Sequence, residues 1–178
     1  MRRAFLVVAL CGCASAGTSE EMTARQPPIF ESKETGTLLG EQPHPVTVTI
    51  AAPPVAVWLA LKEVYADLEI PVTVEDPSTH QIGNPSFHKT RVLGGQPMEG
   101  FIDCGSGMSG PKAATYRIYI SLLTTVVGDD NGGTKFQTML IPVGQDISGT
   151  SSDRIHCGSS GRFEKFFLDA VNAKIRKG

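Results

Sequence analysis

The sequence predicts an α+β fold: an antiparallel sheet with an N-terminal helix and a C-terminal helix packed on one face, in two layers. Three observations lead there. Val46-Thr47-Val48-Thr49-Ile50 and Thr115–Val127 alternate apolar and polar residues, the period of half-buried strands. Gly128–Gly133 reads as a hairpin turn joining Thr115–Val127 to Thr134–Val143, so the central strands run antiparallel. Apolar residues at helical spacing then appear near both ends of this region, giving each helix one face to bury against the sheet.

In chain order, Val46–Ile50 is the first strand, and Pro53-Pro54 opens the first helix. Trp58, Leu61, Tyr65 and Leu68 follow one face of it. Ile70-Pro71 closes it, because the residue before proline is pushed out of the helical region. Val72-Thr73-Val74 starts a second strand. Gln81–Asn84, Phe87–Leu93 and Met98–Cys104 are shorter strand candidates, separated by Asn84-Pro85-Ser86 and Gly94-Gly95. Tyr116, Ile118, Ile120 and Leu122 share one face of the long strand. Residues 144–153 form a polar loop, and Arg154–Cys157 is a last short strand. Ser159 or Ser160 caps the terminal helix, whose stripe is Phe163, Phe166, Phe167, Ala170, Val171 and Ile175.

Of the 178 residues, 40% are hydrophobic and only 19% charged, which excludes a highly charged disordered chain. The formal net charge of −2 excludes a strongly basic nucleic-acid binder and a polybasic membrane-surface protein. The 19 Gly and 12 Pro fall mainly at turns between short strands and in the loop 105–110.

Met1-Arg2-Arg3 followed by Ala4–Leu10 has the layout of an export signal, too short to span a bilayer. Leu10-Cys11-Gly12-Cys13 resembles the lipobox of bacterial lipoproteins, which implies removal of residues 1–12 and lipidation of Cys13. Ala14-Ser15-Ala16 fits ordinary signal cleavage, with residues 1–16 removed. Residues 13–42 lack apolar periodicity and read as a flexible tether, with ends roughly 30 Å apart. Residues 43–178 form the domain.

Cys104 and Cys157 remain within that domain, and an even pair in an exported protein favours a disulfide. Two other readings carry less. A nucleophile at either cysteine needs His88 or His156 as base, and His156 points away from Cys157 if both lie in a strand. A metal site from Cys104, Cys157, His156 and Asp103 lacks ligand spacing.

Gly105-Ser106-Gly107-Met108-Ser109-Gly110 satisfies the G-x-G-x-x-G pattern, but Pro111 and a strand follow where a dinucleotide site needs a helix. Lys112 after Gly110 falls short of a phosphate loop for the same reason. Ser160 has no second glycine for a nucleophile elbow. No cofactor and no catalytic residue is therefore expected.

Arg91–Gly95, Asp103-Cys104-Gly105, Gly110-Pro111, Thr115-Tyr116-Arg117 and His156–Glu164 together resemble a group of uncharacterised bacterial exported, lipoprotein-like proteins with paired cysteines. The resemblance spans most of the domain and implies the cysteine pairing but no activity. In element order the domain is similar to the helix-grip domains of outer-membrane assembly lipoproteins. The lipobox resemblance, with Ala14 rather than Asp after Cys13, implies the periplasmic face of the outer membrane in a Gram-negative host, the alternative being a soluble periplasmic or secreted protein if Cys13 carries no lipid. The expected function is a non-catalytic envelope interaction module with an envelope protein as partner. The alternative is a binder of a small apolar ligand or lipid, its cavity lined by Trp58, Tyr65, Phe163 and Phe167 between sheet and terminal helix.

Overall fold

A computed structural model describes residues 45–148 and 153–177. The expected export signal, the expected lipidation site Cys13 and the expected tether lie outside the described residues. The expected α+β architecture is present: an antiparallel sheet with one helix early in the chain and one at its end.

Strand β1 (Val46–Ile50) leads into α1 (Pro54–Asp67), with Pro53 and Pro54 at its entry. Proline is tolerated there because the first amides of a helix have no partner within it. The helix ends earlier than Pro71 suggests. Glu69 adopts a left-handed conformation (φ 53°), Ile70 N–H donates to the Tyr65 carbonyl at 2.9 Å, and Glu69 N–H donates to Ala66 at 3.0 Å. This is a Schellman stop, with Glu69 where glycine is usual. Buried Ile70 anchors it.

Strand β2 (Val74–Asp76) then pairs with β3 (Gln81–Thr90). Asp76 Oδ1 accepts from the backbone and hydroxyl of Ser78 at 2.8 and 2.6 Å in the turn between them. Those bonds lower the carboxyl pKa to about 2. Asn84-Pro85-Ser86 does not separate two strands, as its composition suggests. It forms a bulge inside one, where the register with the next strand shifts between Asn84 and Phe87. Asn84 is buried and holds the bulge, donating to the Pro71 carbonyl at 2.7 Å and accepting from Ser86 N–H at 2.8 Å.

Short elements follow: β4 (Val92–Leu93), β5 (Gln96–Pro97), β6 (Ile102–Asp103), β7 (Ser106–Gly107) and β8 (Gly110–Pro111). The expected strand Met98–Cys104 is instead a 3-10 turn, Met98–Gly100, followed by β6. Two long strands, β9 (Arg117–Gly128) and β10 (Thr134–Gln145), form the centre of the sheet. In the turn between them Asp129 Oδ1 accepts from Asn131 and Gly133 N–H at 2.9 and 2.7 Å. β11 (Arg154–His156), β12 (Gly158–Ser159) and α2 (Arg162–Ile175) complete the chain. Neither expected serine occupies the helix N-cap. Gly161 does, with φ 76°, while Ser160 donates to the Gly100 carbonyl and Ser159 donates to Glu164.

The sheet order is β1-β10-β9-β3-β2, with β11 also on β10. On one face Ile82, Ile118, Ile120, Leu122, Val126 and Phe136 are buried beneath the helices. α1 contributes Val57, Leu61, Val64 and Tyr65, and α2 contributes Phe163, Phe167 and Val171. Trp58 is only partly buried, at the margin of this core. Lys174 of α2 bridges Asp67 at 2.8 Å and Glu63 at 3.2 Å on α1, and those hydrogen bonds hold its ammonium above the ordinary lysine range.

Tyr65 couples helix to sheet. Its hydroxyl lies 3.2 Å from Thr124 Oγ1 and donates to the Ile82 carbonyl at 3.4 Å. Burial raises its pKa well above the phenol range, and the Thr124 hydrogen bond opposes only part of that. An unfolded tyrosine releases its proton near pH 10, whereas folded Tyr65 retains it to higher pH. The folded state is therefore fully favoured below about pH 10 and loses up to about 1.4 kcal/mol per pH unit above it. Tyr65→Phe is expected to lower stability by about 1 kcal/mol near neutrality and to flatten this alkaline loss. Urea unfolding of both proteins near pH 7 and near pH 11 checks it.

Candidate functional site

The most distinctive corner of the domain is built where the short elements meet the start of α2. β6 and β12 pair over two residues each, Gly158 with Asp103 and Ser159 with Ile102. Cys104 and Cys157 adjoin this pair and are joined by a disulfide. Gly144 makes room for the bond. A β-carbon there would sit 3.1 Å from the Cys157 sulfur and 3.3 Å from that of Cys104. Phe101 docks the same corner onto α2, with its ring centroid 5.5 Å from Phe163 and 5.3 Å from Phe166.

From this base projects the β7–β8 finger, in which Ser106 pairs with Pro111 and Gly107 with Gly110. Asp103 Oδ1 accepts from Gly105 N–H at 2.7 Å, and Lys112 N–H donates to the Gly105 carbonyl at 2.9 Å, so the root of the finger is tied. Its tip presents Met108, fully exposed with a relative accessibility of 109%. Between finger and helix lies a groove of about 380 Å³, lined by Glu99, Asp103, Ser106, Pro111, Ser160 and Arg162 among others. Glu99 and Asp103 bring acidic groups to its lining and Arg162 a basic one, and Cys104 of the disulfide lines it as well.

No protein-family model matches this chain, and no curated protein matches it. The site therefore rests on its own geometry. That geometry unites Cys104 and Cys157, as their number suggested. It also brings together Tyr65, Phe163 and Phe167, but as core. The Tyr65 and Phe167 rings meet edge to face at 5.4 Å, and Phe163 stacks on Phe167 at 5.6 Å. All three are fully buried, while Trp58 packs at the edge and lies apart from the groove. Among the described residues no group of three or more His, Cys, Asp or Glu is placed to hold a metal. No described helix is long and apolar enough to cross a membrane.

The glycines of 105–110 predict a loop, and its projection from the domain is not evident from them. The available signal was a methionine between turn residues, flanked by Gly107 and Gly110. An apolar side chain in such a turn has no core to join.

Proposed function

We propose that the chain is a non-catalytic cell-envelope protein whose domain docks an envelope partner through the disulfide-fixed corner. The observation that carries this reading is Met108, an unbranched apolar side chain held fully in solvent on a finger whose base is covalently tied. Methionine adapts its shape to irregular partner surfaces, and a fixed base limits the ordering that binding requires. The disulfide suits an oxidising compartment, and the sequence Leu10–Cys13 supports delivery there by a lipid anchor on Cys13. The other expected function, a small apolar ligand held between sheet and α2, requires displacement of the interlocked rings of Tyr65, Phe163 and Phe167.

Photo-crosslinking in the native host tests the docking corner. p-Benzoylphenylalanine in place of Met108 is expected to give a discrete adduct in the envelope fraction, and the same residue at exposed Asp130 to give none. Equal, diffuse labelling from both positions, or none from position 108, contradicts the reading.

A further inference from the structure

The finger also carries a site of chemical modification. Met108 and Ser109 form its two-residue turn, between the paired residues Gly107 and Gly110. Neither glycine has a side chain to shield the thioether, and a β-carbon at Gly110 would meet nothing within 4 Å. Met98, Met108 and Met139 are the methionines among the described residues. Met98 is fully buried and Met139 half-buried on β10, whereas Met108 is fully exposed. The finger thus denies one sulfur the protection that packing gives the other two. Its root is tied by the Lys112 N–H bond to the Gly105 carbonyl and lies beside the Cys104–Cys157 disulfide.

We propose that Met108 is a reversible oxidation site that controls docking: its sulfoxide releases the envelope partner, and reduction restores binding. This rests on the docking reading above. In the forward step the thioether sulfur gives an electron pair to an electrophilic oxidant such as hypochlorous acid and takes up its oxygen. The acid is reduced to chloride, and a proton is released. In the reverse step the sulfoxide oxygen leaves as water, while two thiols of a reductase lose their hydrogens and join as a disulfide.

The modification acts where the docked side chain is apolar. Sulfoxide places a polar oxygen there, so the gain from burying apolar surface is lost and an acceptor is desolvated without a donor. The Cys104–Cys157 bond takes no part in either step, and the base of the finger keeps its shape throughout. Docking in turn covers the sulfur, so the bound partner shields Met108 from the oxidant.

Two measurements on the full chain test this. In the first, the purified protein is titrated with hypochlorite and mapped by peptide mass. Met108 is expected to gain one oxygen before Met139 and Met98, with no change in the thermal midpoint. In the second, the chain carries p-benzoylphenylalanine in place of Ser109 and is oxidised alone. It is then quenched and irradiated with the envelope fraction of a host that lacks it. The adduct is expected to fall at least about tenfold on oxidation, to return after treatment with methionine sulfoxide reductases, and to be as weak for unoxidised Met108→Gln. Oxidation of Met139 or Met98 ahead of Met108 overturns the inference. So does an adduct that persists once Met108 is oxidised, or one that the reductases do not restore. In those cases the unoxidised chain still gives its adduct and the docking reading stands. Absence of any adduct from the unoxidised chain removes both.

Discussion

Replacing both Cys104 and Cys157 by alanine is expected to destabilise the domain by about 4 kcal/mol, the chain-entropy contribution of a loop of this size. The bond closes a sequence separation of 53 residues that contains the finger and both central strands. Locally the effect is sharper still, because β6 and β12 share only two residue pairs and cannot hold together unaided. The variant should melt roughly 10–20 °C lower and lose its ordered corner first. Thermal unfolding of the wild type with and without reductant, beside that of the double alanine variant, checks this. An unchanged midpoint would show that the corner is held by packing alone.

Phe167→Ala is expected to cost about 3–5 kcal/mol, the range for deleting a buried phenylalanine. The ring of Phe167 lies at the junction of α1, α2 and the sheet, 5.4 Å from Tyr65, 5.6 Å from Phe163 and 6.2 Å from Phe136. Its removal leaves a void that three rings border, none of which can follow without leaving its own contacts. Phe167→Leu keeps most of the volume and is expected to cost well under half as much. Urea midpoints distinguish them, provided the denaturant slope is unchanged. A loss below about 1 kcal/mol for Phe167→Ala would mean that the space is not filled as described, and would restore the ligand-cavity reading.

The parts of this fold that were legible in sequence are those dictated by local period. β1 matches its expected bounds, the β9–β10 hairpin follows from alternation around Gly128–Gly133, and the α2 stripe buries Phe163, Phe167 and Val171. Features set by longer-range pairing were not legible. Asn84-Pro85-Ser86 resembles a break until its register on β9 shows that Asn84 and Phe87 face the same core. Trp58 shares the helical spacing of Leu61 and Tyr65, yet the buried face centres on Val57, Leu61 and Val64, which displaces the indole toward solvent. Glu69 ends α1 through a backbone conformation that its side chain does not advertise.

The site residues divide in the same way. Two cysteines in one domain are countable, and their bond needed no geometry to anticipate. Met108 required knowledge that its turn projects.

The proposed export, lipid anchoring and oxidation of the chain are tested most directly by the intact mass of the protein recovered from its native host. The predicted mass is that of a chain beginning at Cys13, with acyl groups attached and two hydrogens missing for the Cys104–Cys157 bond. A start at Gly17 with the same hydrogen deficit keeps the export and the docking corner, and removes the lipid anchor. A chain that retains Met1 and carries free thiols at Cys104 and Cys157 would contradict the account.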